Sequence, residues 1–310
     1  TYLLKLSSQR TIMRIGIDLG GTKIEGIVLR NDGEIIHKLR VPTRGEYYEV
    51  ILDDLAALIQ SLQARLKDHL SVGIGTPGCL STNGEMKNCN AIELNGKRLL
   101  EDIEIKLGYE VRIENDANCF ALSEACYGSA QNARSVFGVI VGTGCGGGIV
   151  IDKKLVTGPN SISGEWGHNC MPANARAMIS AVRECYCGRV NCIETLLSGR
   201  GLSMSYFDAT GEQLTALEIA QRAEKGFKPA QVCLEIYADQ LAHCLATVIN
   251  MIDPEVIVLG GGLSNIAALY KRVPALLGPH VFNDQIHTRI VPPTFGDASG
   301  AIGAACLWEH

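Results

Sequence analysis

Three cysteines fall within eight residues in the stretch ECYCGRVNCIE, as Cys185, Cys187 and Cys192, and the stretch closes on Glu194. Cys185 and Cys187 lie too near each other along the chain to pair comfortably as a disulfide. Three thiolates and one imidazole, by contrast, close a tetrahedral Zn²⁺ site. His168 in GEWGHN, 17 residues upstream of Cys185, is the natural fourth ligand, with Cys170 as its rival. A site with four protein ligands keeps no open position, so its metal shapes a pocket and does no chemistry itself. Glu165 and Glu194 flank the ligands on the two stapled loops. Both carboxylates, and the second ring nitrogen of His168, are then available to a ligand's hydroxyl groups.

IENDAN supplies a second reactive pair, Asn115 and Asp116, at the end of a predicted strand. Two readings stay open for Asp116: a helix cap, or a carboxylate that takes a proton as general base. DLGGTK and GTGCGGG each lie between two strands. Dinucleotide fingerprints and Walker loops run directly into a helix, so neither applies. Glycine turns inside hairpins are structural in the ordinary case, but they also bring backbone N–H groups to phosphate oxygens without a Cβ in the way. Thr22 and Thr143 add hydroxyl donors.

The elements that must position these groups follow from periodicity. Residues Arg14 to Pro42 read as three strands, with NDG as a hairpin turn. Ile51, Leu52, Leu55, Ile59, Leu62 and Leu66 mark one face of a helix over Tyr48–Leu66. SVGIGTPG reads as a buried strand running into a turn, and VRIENDANCFALSEACYG as a strand meeting a helix. A shift of 122 residues superposes Gly16, Gly20 and Gly26 on Gly138, Gly142 and Gly148, so one β-rich unit is used twice. A long helix over Ala230–Ile252, the strand PEVIVLGGG and a closing helix in GDASGAIGAACLW complete the second half.

Composition sets the class. The chain has 310 residues, 46% hydrophobic and 20% charged, which fits a globular protein with two domains. A net charge of -5 without a basic stripe argues against a nucleic-acid partner, and no apolar run is long enough to span a bilayer. Of the 12 cysteines, Cys119, Cys126, Cys233, Cys244 and Cys306 read as small buried hydrophobes. A reduced, cytoplasmic protein is expected. The opening TYLLKLSSQRTI lacks a signal-peptide pattern, and residues 1–12 are expected to be a flexible extension or tag ahead of Met13.

DLGGTK (18–23), NDAN (115–118), GTGCGGG (142–148), GEWGH (164–168), CYCGRVNCIE (185–194) and LGGGLSN (259–265) occur in this order across nearly the whole chain. Together they resemble the ROK family of sugar kinases and repressors, within the actin-like, hexokinase-like ATPase superfamily. The resemblance implies an α/β fold of two similar actin-like (ribonuclease H-like) domains, mixed sheets flanked by helices, with the active site in the cleft between them. Residues 13–128 plus 297–310 would form the smaller domain, and residues 129–296 the larger one with the zinc.

By the same resemblance Asp18 organises Mg²⁺ through water, and Gly20, Gly21, Thr22, Lys23, Thr143 and Gly144 hold the ATP phosphates. Gly261 and Gly262 border the adenosine. Asp116 is the base, while Asn90, Asn115, Glu165, His168 and Glu194 join it in binding the sugar. The zinc ligands His168, Cys185, Cys187 and Cys192 carry over directly. Asn191 stands where the family has Gly, a substitution its tolerance of positive φ allows.

The expected function is an ATP-dependent hexose kinase acting as a homodimer. MKNCNAIELNGKRL resembles fructokinases and mannokinases that form the hexose 6-phosphate, which puts these first. NDANCFALSEA and LVTGPNSISGEWGH resemble N-acetylglucosamine kinases, the alternative beside glucokinase. A sugar-responsive repressor is the distant rival, disfavoured because only about a dozen residues, with no basic run, precede MRIGIDLGG.

Overall fold

The computed structural model describes residues 12–308 except 46, 67, 90 and 177–181. Residues 1–11 of the proposed extension, and Asn90, therefore lie outside the described residues. Two compact units emerge: unit 1 runs to Asp116 and resumes at Gly300, and unit 2 spans Ala117–Ser299.

Unit 1 begins with an antiparallel meander of β1 (Met13–Leu19), β2 (Lys23–Arg30) and β3 (Ile35–Pro42). Its turn at NDG closes through the Gly33 N–H donating to the Arg30 carbonyl, with Gly33 at φ +87°. Helix α1 (Tyr48–Gln63) follows and ends before Leu66. Ile51, Leu55, Ile59 and Leu62 are almost fully buried, as the spacing predicts. Each such side chain contributes roughly 1.5–3 kcal/mol. Strand β4 (Ser71–Thr76), a short hairpin of β5 (Cys79–Leu80) and β6 (Met86–Lys87), helix α2 (Leu99–Leu107) and β7 (Val111–Asn115) complete the run. The sheet order is β3-β2-β1-β4-β7, with β4 parallel to both β1 and β7.

Unit 2 repeats this plan. Helix α3 (Asp116–Cys126) leads into β8 (Ser135–Val141), β9 (Cys145–Ile151) and β10 (Lys154–Leu155). Then come α4 (Ala173–Arg176), α5 (Glu194–Leu197), α6 (Gly199–Thr210), α7 (Ala216–Glu224) and α8 (Lys228–Ile252). Strand β11 (Val256–Gly260), α9 (Leu269–Leu276) and β12 (Arg289–Val291) close the unit, and α10 (Ser299–Ala305) runs on into unit 1. The second sheet has the order β10-β9-β8-β11-β12, the same as the first. The two similar halves expected from the repeat are present.

The repeat is not residue-exact, however. Ile17 faces Gly26 in the first hairpin, whereas its counterpart Val139 faces Gly147, so the second turn is one residue tighter. The repeated glycines have a packing reason. A Cβ on Gly16 would sit 1.9 Å from the Ala301 carbonyl oxygen, and one on Gly73 would sit 1.8 Å from that of Ala304. Helix α10 thus lies in a groove that only glycine permits. In unit 2, a Cβ on Gly138 would fall 2.6 Å from the Ala121 Cβ, and Gly260 would strike the Phe120 ring. There α3 fills the equivalent groove on β8 and β11.

This packing corrects the expected boundaries. Helix α3, assigned by sequence to the first domain up to residue 128, has Ala117–Cys126 buried in unit 2. The chain changes units at 116/117 and 299/300 instead of 128/129 and 296/297. Helices α2, α4, α5, α6, α7 and α9 are absent from the periodicity reading. Helix α7 is announced by a capping box, Thr215 and Glu218 exchanging hydrogen bonds. Helix α6 opens Gly-Arg-Gly and carries little local signal beyond its Ser198 cap. Among the described residues, α8 alone is long and apolar enough to cross a membrane, and it is mostly buried as the core helix of unit 2.

Candidate functional site

In unit 1 the expected residues collect at the carboxyl ends of parallel strands, where open α/β sheets present ligand groups. Asp18 on β1 is in register with Gly75 on β4, which in turn pairs with Glu114 on β7; Asn115 and Asp116 follow at once. The Asn115 side-chain amide donates to the Gly78 carbonyl at 2.9 Å and so ties the end of β7 to the turn after β4. Asp116 is exposed in the first turn of α3. Its charge reaches the Cys89 thiol, which burial, then Cys79 and Asp116, push up to about 12.

The first glycine turn is braced from β3's end. The Thr43 hydroxyl donates to the Gly20 carbonyl at 2.7 Å, and the Thr43 N–H donates to that of Thr22 at 3.0 Å. Gly21 has no atom within 4 Å of where a Cβ would stand, which leaves its backbone open to a ligand. Lys23 starts β2 beside it. Asp18 packs directly on the opening of α10, because a Cβ on Gly300 would lie 2.8 Å from its Cγ.

In unit 2 the other two glycine clusters meet. Ile140 pairs with Gly260, so the turn at Gly142–Gly144 and the Gly261–Gly262 step leave adjacent strand ends. Gly261 holds φ +77°, and a Cβ there would be 2.5 Å from the Val141 carbonyl oxygen. The Gly142 carbonyl accepts from the Gly199 N–H at 2.7 Å, which anchors the start of α6 to the same turn. Thr143 is exposed on it.

Glu194 supplies a link that spacing did not reveal. Its Oε2 accepts from the Cys145 N–H at 2.9 Å and lies 2.6 Å from where a Gly144 Cβ would stand. The acid that closes the cysteine stretch is therefore fastened to the second glycine turn. A cavity of about 500 Å³ within unit 2 is bordered by Thr143, Cys185, Tyr186, Glu194, Ser198 and Arg200.

The four predicted metal ligands are brought together, with ligand atoms all within 4.8 Å of one another. The Cys187 and Cys192 sulfurs are 3.6 Å apart, and His168 Nδ1 is 3.5 Å from the Cys185 sulfur. Zn–S and Zn–N bonds of ordinary length give tetrahedral edges of about 3.8 Å for S···S and about 3.6 Å for S···N. The donor set and its spacing fit zinc. Cys170, the rival ligand, bridges Cys192 through its backbone and lies outside this cluster. Burial works to raise the Cys187 thiol, but hydrogen bonds from the Arg189 side chain and backbone and from Cys185 and Cys192 outweigh it and bring the thiol down to about 6. Asn191 takes φ +55°, as a glycine replacement must, and its side chain accepts from the Arg183 N–H at 3.0 Å.

Two neighbours of the cluster escaped the sequence reading. Tyr186 places its hydroxyl 2.9 Å from His168 Nε2, so the second ring nitrogen, expected to serve a ligand, has a protein partner. Desolvation, then Glu194 and Glu165, raise the Tyr186 phenol, which puts both carboxylates within electrostatic reach of it. Arg183, 4% exposed, donates to the Thr195 and Gly201 carbonyls at 3.0 and 2.9 Å and pairs with Asp208 at 2.9 Å. It clamps the cysteine loop to α5 and α6. A single arginine between Val182 and Glu184 offered no sequence signal for this. The Trp166 indole donates to the Gly146 carbonyl at 2.8 Å, fixing the GEWGH loop on β9.

The ROK family model matches residues 14–310. An N-acetyl-D-glucosamine kinase of Aliivibrio salmonicida is 38% identical over 299 residues, covering 95% of this chain and 99% of that protein. Among solved structures, a ROK hexokinase from Thermus thermophilus is 28% identical with a TM-score of 0.84, over 95% of this chain and 97% of that one. A ROK family glucokinase from Streptomyces griseus, in complex with glucose and AMPPNP, is 27% identical with a TM-score of 0.76, over 95% of this chain and 98% of that one.

Proposed function

The chain belongs to the ROK family, and we propose that within it this protein is an ATP-dependent sugar kinase whose substrate is N-acetyl-D-glucosamine. The observation that carries the sugar is the 38% identity, along nearly the whole chain, to an N-acetyl-D-glucosamine kinase. The expected preference for fructose or mannose gives way to what was its alternative. One motif around residues 86–99 weighs less than agreement along the whole chain.

In this reading Asp116 accepts the proton of the attacking sugar hydroxyl, the 6-hydroxyl, as it bonds to the γ-phosphorus and ADP leaves. Such transfers require positioning and charge neutralisation more than covalent participation. Asn115, held by Gly78, orients the ring together with Glu165 and Glu194. Asn90 belongs to the same proposed set. The turns at Gly20–Lys23 and Thr143–Gly144 offer N–H and hydroxyl donors to the phosphates, and Gly261 and Gly262 border the adenosine. Asp18 would hold Mg²⁺ through water, and that ion neutralises phosphate charge when bound. His168, Cys185, Cys187 and Cys192 would hold Zn²⁺ as a closed structural site. The cluster keeps Glu165 and Glu194 on fixed loops. Free thiols throughout suit a reducing cytoplasm.

The test is a coupled ATP assay of the purified protein with N-acetylglucosamine, N-acetylmannosamine, glucose, mannose and fructose. We expect kcat/KM for N-acetylglucosamine to exceed that for every other sugar at least tenfold. A higher value for glucose or fructose would overturn the substrate, and no turnover with any of them would overturn the kinase reading.

A further inference from the structure

We infer that unit 2 carries a second transition-metal site, built from Asp239, His243 and His280 and separate from the cysteine cluster. Asp239 and His243 lie four residues apart on α8, the spacing that brings two side chains to one helical face. His280 arrives from the segment after α9. One ligand atom from each residue falls within 4.8 Å of the others, the compactness a single ion requires.

The arrangement is positioned by its surroundings. His243 Nδ1 lies 3.0 Å from the Asp239 carbonyl oxygen and 3.3 Å from Asp239 Oδ2. Ligating imidazoles are commonly fixed by such contacts to a backbone carbonyl or carboxylate. The His280 ring stacks on His243 with centroids 3.6 Å apart and planes inclined by 33°. Its backbone is clipped to α8 by Asn250, whose amide donates to the His280 carbonyl at 3.0 Å and accepts from the Phe282 N–H at 2.8 Å. The His280 N–H donates to the Leu277 carbonyl at 2.9 Å.

A separate observation points to a ligand. Asp239 Oδ2 is buried and accepts no hydrogen bond, its contact with His243 Nδ1 at 3.3 Å being electrostatic only. Leaving a buried polar oxygen unsatisfied costs about 1–3 kcal/mol, more for a charged group. A cation satisfies it. Two imidazoles and a carboxylate select a borderline divalent ion such as Zn²⁺, Co²⁺ or Ni²⁺ over Mg²⁺ or Ca²⁺. Bound there, the ion joins α8 to the segment beyond α9.

The experiment uses the full chain. Metal-free protein is dialysed against buffered Zn²⁺ and its metal content measured, for wild type, Cys187→Ser, His280→Ala and Asp239→Asn. We expect wild type to hold two equivalents, with His280→Ala and Asp239→Asn each losing one while the cysteine site keeps its own. Loading Cys187→Ser with Co²⁺ should give visible d–d bands without thiolate charge transfer, from a nitrogen and oxygen site. Asp239→Asn keeps the shape of the side chain, so it guards against a folding failure in His280→Ala. Circular dichroism confirms each fold. A single equivalent in wild type, unchanged in both folded variants and abolished by Cys187→Ser, would overturn the inference.

Discussion

Gly144→Ala is the most informative perturbation of the site, because it separates two roles that the sequence keeps apart. The added Cβ would stand 2.6 Å from Glu194 Oε2, closer than real contacts allow. The Glu194 carboxylate must shift, which stretches or breaks its 2.9 Å hydrogen bond from the Cys145 N–H. A hydrogen bond to a charged acceptor contributes about 1.5–3 kcal/mol. If that energy is what holds Glu194 ready for sugar, affinity falls about tenfold to about a hundredfold. The turn should therefore affect sugar as well as ATP, whereas a turn that touched phosphate alone would affect ATP only. Calorimetry with N-acetylglucosamine in the absence of nucleotide measures the effect. A double-mutant cycle then assigns it: on a Glu194→Ala background, Gly144→Ala should cost little further sugar affinity. Two losses that simply add, or a Gly144→Ala protein with wild-type sugar affinity, would refute the coupling.

Other outcomes follow from the same geometry. Asp116→Asn should fold normally and bind sugar, yet lose about 10²- to 10⁴-fold in turnover as general-base removal does; turnover within about threefold of wild type would mean the base lies elsewhere. Cys187→Ser should lose zinc from the cysteine cluster and weaken sugar binding, with elemental analysis and calorimetry as readouts. Gly73→Ala, whose Cβ would lie 1.8 Å from the Ala304 carbonyl oxygen, must displace α10. We expect a loss of about 3 kcal/mol or more, seen as a lower melting temperature and a weaker denaturation midpoint.

Local pattern carried much of this protein. The meander of β1 to β3, the core face of α1 and the span of α8 could all be read from periodicity, because burial on one face imposes it directly on the chain. The zinc cluster was legible for a different reason. Three closely spaced cysteines and an upstream histidine suggested a closed tetrahedral set by ligand chemistry, with Cys170 left as a rival, and the family resemblance supplied the choice of His168. Asn191 could be excused in advance, since positive φ is a property of the residue itself.

What the sequence could not decide were distances between segments far apart in it. The repeated glycines announced two equivalent hairpins, but not that α10 and α3 fill the grooves at Gly16 and Gly138. Packing, not sequence order, therefore set the unit boundaries. Nor could spacing show Glu194 reaching back 49 residues to the Cys145 N–H, Tyr186 meeting His168, or His280 stacking on His243. Each depends on how side chains from separate elements share one buried space. That is fixed only when the hydrophobic faces have closed and the remaining polar groups must find partners among whatever lies within reach.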